Sequence, residues 1–284
     1  GSMPAGLEEF QKKHDFLICV DSDGCAVDTM DIKHKRCFGP CLVKEWGLEQ
    51  WEKPILERWN EINLYTRTRG INRFKALALA LEEVNQTYTP IEGVEELKTW
   101  TEEAKELSNP ALEAQIAKTG APVLKKALSW SLAVNRAITE LPWEVKHAFS
   151  GVKEAFEGVR DFADLVIVSS ANRDAVEEEW DQFGLLPLVD TVLCQDAGSK
   201  AHCIAQLKKK GYAEGTILMV GDASGDMAAA EENRVYFYPI LVRREEESWK
   251  NFPQAAQRLK AGNYGEYSLE VREEFLRNLT EDSA

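Results

Sequence analysis

Short apolar runs alternate with stretches of helical periodicity along most of the chain. Three runs are almost continuously apolar, a pattern typical of parallel strands buried on both faces. These runs are FLICV at 16–20, LVIVSS at 165–170 and TILMV at 216–220, and two weaker candidates are TVLCQ at 191–195 and RVYFYPILV at 234–242. Between them, 173–184 and 200–211 show helical patterns that end on glycine, a residue suited to a helix C-terminus. This alternation predicts a doubly wound parallel α/β sheet with right-handed crossovers.

The segment from 30 to 150 departs from that alternation, because it contains no convincing strand and several amphipathic helical stretches. One apolar stripe within RFKALALALEEV consists of Phe74, Leu77, Leu81 and Val84. Six of the eight tryptophans lie in the segment, where they can anchor a second hydrophobic core. We therefore predict an all-helical domain over 30–150, inserted into an α/β core domain formed by 14–29 and 151–284.

Charge and composition narrow the choice of partner and compartment. The 34 basic and 48 acidic residues give a net charge of −14, which repels nucleic acid and anionic lipid. No apolar run approaches the roughly 20 residues of a membrane helix. Six cysteines, some inside apolar runs and with no secretory signal before them, favour reduced thiols and a cytoplasmic location. The opening GSM is interpreted as a remnant of expression.

Polar side chains follow the predicted strands at the point where each strand ends. They are Asp21, Asp23 and Gly24 after the first run, Ser169 and Ser170 after the second, Lys200 after the weaker run at 191–195, and Gly221, Asp222, Gly225 and Asp226 after the third. Ligands of open α/β sheets bind beyond the carboxyl ends of the strands, so we expect these groups to converge. Isolated buried charges are costly, and the cluster therefore predicts a cation, a substrate or both.

Other ligand motifs fit the sequence less well. A calcium loop of the EF-hand kind starting at Asp21 would need glycine in its sixth position and glutamate in its twelfth, but the chain has glycine fourth and Ile32 twelfth. No GxxxxGK[ST] phosphate loop follows a strand. His34, Cys37 and Cys41 share one helical face and could bind a metal, although a buried helical stripe explains their spacing equally well.

Four segments in order resemble the motifs of the haloacid dehalogenase-like superfamily. They are DSDGCAVDT at 21–29, the serine that ends LVIVSS, GSK at 198–200 and GDASGD at 221–226. The helical insertion between the first two is similar to the C1-type cap domain of that superfamily. The resemblance implies a Rossmann-like core and a hydrolase that acts on phosphoric monoesters.

The resemblance also implies a role for each matching residue. Asp21 is expected to attack phosphorus and form an aspartyl-phosphate. Asp23 is expected to protonate the leaving oxygen and then to activate water. Lys200 is expected to bind the phosphoryl oxygens, and the hydroxyl of Ser169, or alternatively that of Ser170, to donate a hydrogen bond.

The same resemblance implies Mg²⁺ as the cofactor. Its expected ligands are the carboxylates of Asp21 and Asp222 and the backbone carbonyl of Asp23. Asp226 is expected to orient the waters of the metal ion.

Three arginines in the predicted cap domain are candidates for substrate binding. Arg67, Arg69 and Arg73 concentrate positive charge around Gly70 in an otherwise acidic chain. The pair Gly70 and Arg73 forms a GxxR element that resembles the substrate loop of the β-phosphoglucomutase branch. The alternative is that these arginines pair with acidic residues on a helix surface.

Three functions agree with the sequence. The leading hypothesis is a Mg²⁺-dependent phosphatase that hydrolyses a small phosphorylated metabolite under a closing cap. A phosphomutase of the β-phosphoglucomutase type would use the same aspartyl-phosphate but return the phosphoryl group to a sugar. A protein of this fold that binds ligands without turnover is the third hypothesis.

Overall fold

Five parallel strands form one sheet in the computed structural model, which describes residue 4 and residues 6–280. The strands are β1 (Phe16–Val20), β2 (Ala163–Val168), β3 (Thr191–Leu193), β4 (Ile217–Gly221) and β5 (Tyr236–Pro239). Their spatial order is β3-β2-β1-β4-β5, so the chain runs outward from β1 in both directions. All five predicted runs contain a strand, and the prediction of a parallel α/β fold with a helical insertion is confirmed.

The strand register aligns the carboxyl ends of the three central strands. Val20, the last residue of β1, pairs with Ile167 of β2 and with Val220 of β4. The residues that follow these positions therefore leave the sheet at the same edge. The central strands are buried on both faces, which agrees with their continuous apolar sequences.

The chain forms two compact units. We call the first the core unit, which contains residues up to Met30 together with those from Lys146 onward, and the second, Asp31–Val145, the cap unit. The predicted cap segment was 30–150. The difference at its end arises because His147–Ala148 pair antiparallel with Val27–Asp28, which ties these residues to the core unit.

Helices make up most of the cap unit. They are α1 (Met30–Lys33), at the junction with the core unit, α2 (Gly39–Trp46), α3 (Glu52–Asn60), α4 (Arg73–Thr87), α5 (Val94–Glu103), α6 (Asn109–Thr119) and α7 (Pro122–Thr139). Two π-helical turns, 34–38 and 61–65, extend α1 and α3. The predicted stripe on α4 is buried, and Trp59, Trp100 and Trp130 lie in the core of this unit. The cap unit thus has its own hydrophobic core.

Six α-helices surround the sheet within the described part of the core unit. They are α8 (Val152–Glu157), α9 (Arg173–Gln182), α10 (Lys200–Lys208), α11 (Ser224–Glu232), α12 (Glu245–Ala261) and α13 (Gly265–Thr280). The helices α9 and α10 end two or three residues before the glycines that the sequence indicated, and both glycines, Gly184 and Gly211, have a positive φ. Among the described residues, none of the helices combines the length and the apolar character that crossing a membrane requires.

Candidate active site

Asp21 lies directly after β1, at the carboxyl edge of the sheet. Its backbone N–H donates to the carbonyl of Val220 at 3.0 Å, which continues the pairing of β1 with β4. One carboxylate oxygen, Oδ1, accepts the N–H of Ser22 at 2.8 Å, and Oδ2 accepts from the ammonium group of Lys200 at 3.0 Å. Only 6% of Asp21 is exposed. The carboxylate is therefore held at both oxygens in a nearly closed environment.

Lys200 links two of the buried carboxylates. It is the first residue of α10, and the side chain of Ser199 caps that helix by accepting the N–H of His202. The Lys200 Nζ lies 3.0 Å from Oδ2 of Asp21 and 2.5 Å from Oδ1 of Asp226. Burial alone would lower the pKa of Lys200, but these two carboxylates outweigh it and raise the pKa above its ordinary value. The ammonium group consequently stays charged at the edge of the sheet.

The residues after β4 bring two further carboxylates to the same place. Asp226, fully buried in the first turn of α11, accepts the backbone N–H groups of Asp222 and Ala223 through Oδ2, each at 3.0 Å. Such a carboxylate satisfies exposed N–H groups at the helix N-terminus. Gly221 leaves room for it, because an added Cβ at this position would overlap with the Asp226 side chain. Asp226 thus fixes the backbone that carries Asp222.

Three buried carboxylates face one ammonium group in this cluster. Ligand atoms of Asp21, Asp222 and Asp226 lie within 4.8 Å of one another, and this is the one such cluster of potential metal ligands among the described residues. Burial, reinforced by the neighbouring carboxylate of Asp226, raises the pKa of Asp21 well above its usual range. A hard divalent cation would relieve this repulsion, and carboxylate oxygens are the donors that Mg²⁺ prefers. The donor set therefore fits Mg²⁺.

Asp23 lies in the tight turn that follows Asp21. Gly24 adopts a φ of +76°, a backbone conformation that favours glycine, and its N–H donates to the carbonyl of Val27 at 2.9 Å. The Asp23 carboxylate is half-buried and accepts a hydrogen bond from the hydroxyl of fully buried Thr29. The turn brings Thr29 back beside Asp23, so that the Thr29 hydroxyl can orient the Asp23 carboxylate.

Ser169 and Ser170 differ in burial. Ser169 follows β2 directly, is 3% exposed, and its hydroxyl oxygen accepts the N–H of Ala171 at 3.1 Å. That bond leaves the hydroxyl hydrogen of Ser169 to be donated elsewhere. Ser170 is exposed. Of the two serines, Ser169 is the one whose hydroxyl is buried and held by a backbone hydrogen bond at the edge of the sheet.

The three candidate arginines have different surroundings within the cap unit. Arg67 is exposed, whereas Arg69 is buried and donates to the carbonyl of Leu64 at 2.7 Å. The guanidinium of Arg73 donates to the carbonyl and the hydroxyl of Ser131, at 3.2 and 2.9 Å, and to Asn135 at 2.9 Å.

Arg73 also lies over the ring of Phe38, with its guanidinium carbon 4.9 Å from the ring centre. Burial lowers the pKa of Arg73 to about 10. Arg73 therefore contributes to the packing of the cap unit whatever else it binds. Pairing with acidic residues was the alternative that the sequence left open for this arginine; its contacts are instead with neutral acceptors and an aromatic ring.

The second candidate metal group of the sequence has a packing role. The Nδ1 atom of His34 accepts the indole N–H of Trp59 at 3.2 Å, and the imidazole ring stacks on Phe38 with ring centres 4.5 Å apart. Cys37 is buried in the same core. Of the two explanations for the spacing of His34, Cys37 and Cys41, the buried helical stripe agrees with these contacts.

Three residues near Asp21 were not singled out by the sequence patterns. Thr29 donates to Asp23, and the buried hydroxyl of Ser22 accepts the indole N–H of Trp180 at 2.8 Å. Thr29 lies inside the first motif, six residues after Asp23, so its hydroxyl could have been recognised as a candidate partner of Asp23 from the sequence. Nothing in the sequence connects Ser22 with Trp180, because 158 positions separate them.

Comparison with known proteins identifies a family and related folds. A family model described as haloacid dehalogenase-like hydrolase matches residues 67–239. A haloacid dehalogenase-like family hydrolase from Streptococcus pneumoniae is similar in structure, with a TM-score of 0.51 and 15% sequence identity over 84% of this chain and 90% of the other. A candidate phosphoglycolate phosphatase from Lactobacillus delbrueckii subsp. bulgaricus has a TM-score of 0.50 and 12% identity over 79% and 85% of the two chains. Comparison with curated protein sequences gives no match.

Proposed function

The chain belongs to the haloacid dehalogenase-like hydrolase family, and we propose that it is a Mg²⁺-dependent phosphatase of small phosphorylated metabolites. The observation that carries the proposal is the buried carboxylate of Asp21, held by Lys200 beside Asp222 and Asp226 at the carboxyl edge of the sheet. A carboxylate in this position can act as a nucleophile, and the Lys200 ammonium group, together with a divalent cation held by the carboxylates, would compensate the charge of a phosphate ester.

The proposed reaction has two displacements at phosphorus. An oxygen of Asp21 bonds to phosphorus while the bond to the ester oxygen breaks, and protonated Asp23 gives its proton to the leaving alkoxide. Asp23, now a carboxylate, takes a proton from a water molecule that attacks the aspartyl-phosphate. Inorganic phosphate leaves, Asp21 is restored and Asp23 is protonated again. The half-buried position of Asp23 and its bond from Thr29 support this role.

Two neighbouring groups serve the phosphoryl oxygens in this proposal. The Lys200 ammonium group neutralises part of their charge, and the Ser169 hydroxyl donates a hydrogen bond to one of them. Ser169 is buried and the side chain of Lys200 is only 12% exposed, which supports the assignment, since electrostatic stabilisation strengthens where water is excluded.

Mg²⁺ would be held by the carboxylates of Asp21 and Asp222 and by the backbone carbonyl of Asp23. When bound, the ion would polarise the phosphoryl oxygens and offset the negative charge of the ester. Asp226 has both oxygens engaged, by two backbone N–H groups and by Lys200, which supports a role in placing Asp222 and the metal's waters.

Substrate choice is assigned to the cap unit in this proposal. Arg67 is the exposed member of the three candidate arginines and is available to an anionic group of a metabolite. Arg69 and Arg73 are proposed to support the segment around Arg67, because both bond to other groups of the cap unit. A phosphomutase would share the aspartyl-phosphate, but the internal contacts of Arg73 leave the GxxR element with a packing role, and we therefore favour hydrolysis.

A cytoplasmic location is also part of the proposal. All six cysteines lie in the described part of the chain, and none forms a disulfide. Burial raises the pKa of Cys194 to about 12 and that of Cys203 to about 11, which keeps both as thiols. Reduced buried cysteines are typical of cytoplasmic proteins.

The test is hydrolysis of an aryl phosphate and of a panel of phosphorylated metabolites, with Mg²⁺ and with excess chelator. We expect phosphate release that needs Mg²⁺ and that falls at least about 10³-fold in Asp21→Asn, because the nucleophile is lost. Asp181→Asn, at an exposed position of α9, is the matched control and should remain active. Turnover in chelator, or in Asp21→Asn, would contradict the proposal. Isomerisation of a sugar phosphate faster than phosphate release would identify a phosphomutase, and binding without turnover would identify a silent binding protein.

A further inference from the structure

Two buried indole groups hold the turn that carries Asp21. The indole N–H of Trp180, on α9, donates to the hydroxyl of Ser22 at 2.8 Å. The indole N–H of Trp249, on α12, donates to the carbonyl of Cys25 at 2.8 Å. Both tryptophans are buried, and Ser22 is fully so. Each of these helices thus makes a specific polar contact with the segment 22–25.

Ser22 is the residue through which the turn is organised. Its carbonyl accepts the N–H groups of Cys25, Ala26 and Val27 at 3.0 to 3.2 Å, and its own N–H donates to Oδ1 of Asp21. The side-chain hydroxyl is the remaining polar group of the residue. A contact that fixes this hydroxyl therefore restricts the same residue that orients the Asp21 carboxylate.

The position of Trp180 is in turn fixed by aromatic packing. The ring of Phe156, on α8, stacks on Trp180 with centres 5.7 Å apart and an angle of 11° between the planes. Phe156 also meets Trp249 edge to face, at 5.7 Å and 85°. Offset and edge-to-face contacts of this kind stabilise one arrangement of the rings. The two indole donors therefore belong to one packed aromatic cluster.

We propose that Trp180 is a positioning residue for the nucleophile Asp21 and acts through the hydroxyl of Ser22. The proposal rests on the proposed function, since it assigns Trp180 to the same reaction. A nucleophile that must lie in line with the phosphorus atom loses rate when its position becomes less defined. The indole N–H of Trp249 donates to the carbonyl of Cys25, at the far end of the turn, whereas that of Trp180 donates to Ser22 itself.

The test compares Trp180→Phe, Ser22→Ala and the double variant with wild type. Phenylalanine keeps an aromatic ring but removes the donor, and alanine removes the acceptor. Each single variant should lower kcat about two- to tenfold, the rate equivalent of one hydrogen bond, with little change in KM. The double variant should be no slower than the slower single variant, because both remove the same contact.

Trp130→Phe is the matched control. Trp130 is a buried tryptophan of the cap unit whose indole N–H donates to the carbonyl of Phe38 at 3.1 Å. This variant loses a comparable bond and should lower the midpoint of thermal unfolding without lowering kcat. A general loss of stability would therefore appear in the control as well as in Trp180→Phe.

The outcomes separate the positioning role from the proposed function. Wild-type turnover with an unchanged kcat in Trp180→Phe and Ser22→Ala would overturn the positioning role alone. Losses that multiply in the double variant, or an equal loss of kcat in Trp130→Phe, would do the same. If Trp180→Phe does not fold, the kcat of Ser22→Ala alone tests the positioning role, and an unchanged kcat overturns it. Absence of phosphatase activity in the wild type would instead contradict the proposed function.

Discussion

Lys200 Nζ lies 3.0 Å from Oδ2 of Asp21, although 179 positions separate the two residues in the sequence. The pair joins the end of β1 to the start of α10, and both side chains are almost completely buried. A buried ion pair of this kind contributes little stability by itself, because desolvation offsets the attraction. In the proposed reaction, the pair keeps a cation beside the carboxylate that attacks the phosphate ester.

Replacing Lys200 should therefore affect catalysis more than binding. We expect Lys200→Met to lower kcat at least about 100-fold, because the developing charge on the phosphoryl group loses its fixed cation. Lys209→Met, at an exposed lysine just after the same helix, is the control and should retain wild-type kinetics. Steady-state kinetics on an aryl phosphate would measure both. A similar kcat in the two variants would show that Lys200 is not needed for turnover.

Gly221 is required by the close approach of Asp226. An added methyl group in Gly221→Ala would displace the Asp226 carboxylate, which caps α11 and pairs with Lys200. We expect a loss of about 1–3 kcal/mol in the free energy of unfolding, the usual cost of overpacking, together with loss of turnover.

Gly225→Ala supplies the comparison, since a Cβ at Gly225 would meet no atom within 4 Å. It should keep its activity and gain up to about 1 kcal/mol, because alanine is the better helix former. Denaturant unfolding and kinetics on both variants test the pair. Equal behaviour of the two variants would show that the space beside Asp226 is not limiting.

The hydroxyl of Thr29 orients Asp23, the proposed acid and base. Thr29→Val keeps the shape of the side chain but removes the donor, so kcat should fall about two- to tenfold while KM stays near its wild-type value. Thr29→Ser restores the hydroxyl and should recover most of the rate. Valine and serine variants with equal kcat would show that the hydrogen bond is not used.

Asp164 should make the stability of the core unit depend on pH. It is fully buried near the start of β2, and it accepts hydrogen bonds from the hydroxyl of Tyr212, the backbone N–H groups of Lys13 and His14, and the His14 ring. Burial alone would raise the pKa of Asp164, but these bonds outweigh it and lower the pKa. The ionised form is therefore favoured by folding.

A lowered pKa means that the stabilisation is present above the unfolded-state pKa of about 3.9 and is lost as the pH falls through the folded-state value. Asp164→Asn should lower the free energy of unfolding by about 1.5–3 kcal/mol at pH 7, and the difference from wild type should shrink below pH 4. Urea unfolding of both proteins, at pH values from 7 to below 4, measures this difference in the free energy of unfolding. Asp161→Asn, at an exposed position three residues earlier, is the control. A difference that stays constant with pH would contradict the assigned ionisation.

Most of the sheet could be predicted because its strands are short, buried and continuously apolar. The predicted ends of elements differ from the structure where a contact between residues distant in sequence decides where an element begins or ends. The second strand begins at Ala163 instead of Leu165 because the buried charge of Asp164 is satisfied by Tyr212 and His14. The pairing of His147–Ala148 with Val27–Asp28 is only two residues long, too short to leave a pattern.

The site could be predicted to the extent that it follows from strand ends. The residues after β1 and β4 converge because parallel strands end at one edge, and the predicted family and hydrolase class are confirmed. The contact between Trp180 and Ser22 could not be predicted, because 158 positions separate the two residues. Thr29, in contrast, lies inside the first motif, six residues after Asp23. The environments of Arg69 and Arg73 depend on helix packing within the cap unit, which periodicity alone does not describe.

The central claim is that Asp21 carries the phosphoryl group during turnover. Acid quenching of the enzyme within the first turnover of a phosphorylated substrate, followed by peptide mass spectrometry, tests it most directly. We expect the mass of one added phosphoryl group on the peptide that contains Asp21, and we expect it to be absent in Asp21→Asn and absent without Mg²⁺. Turnover of substrate with a phosphoryl group on another residue, or on none, would contradict it.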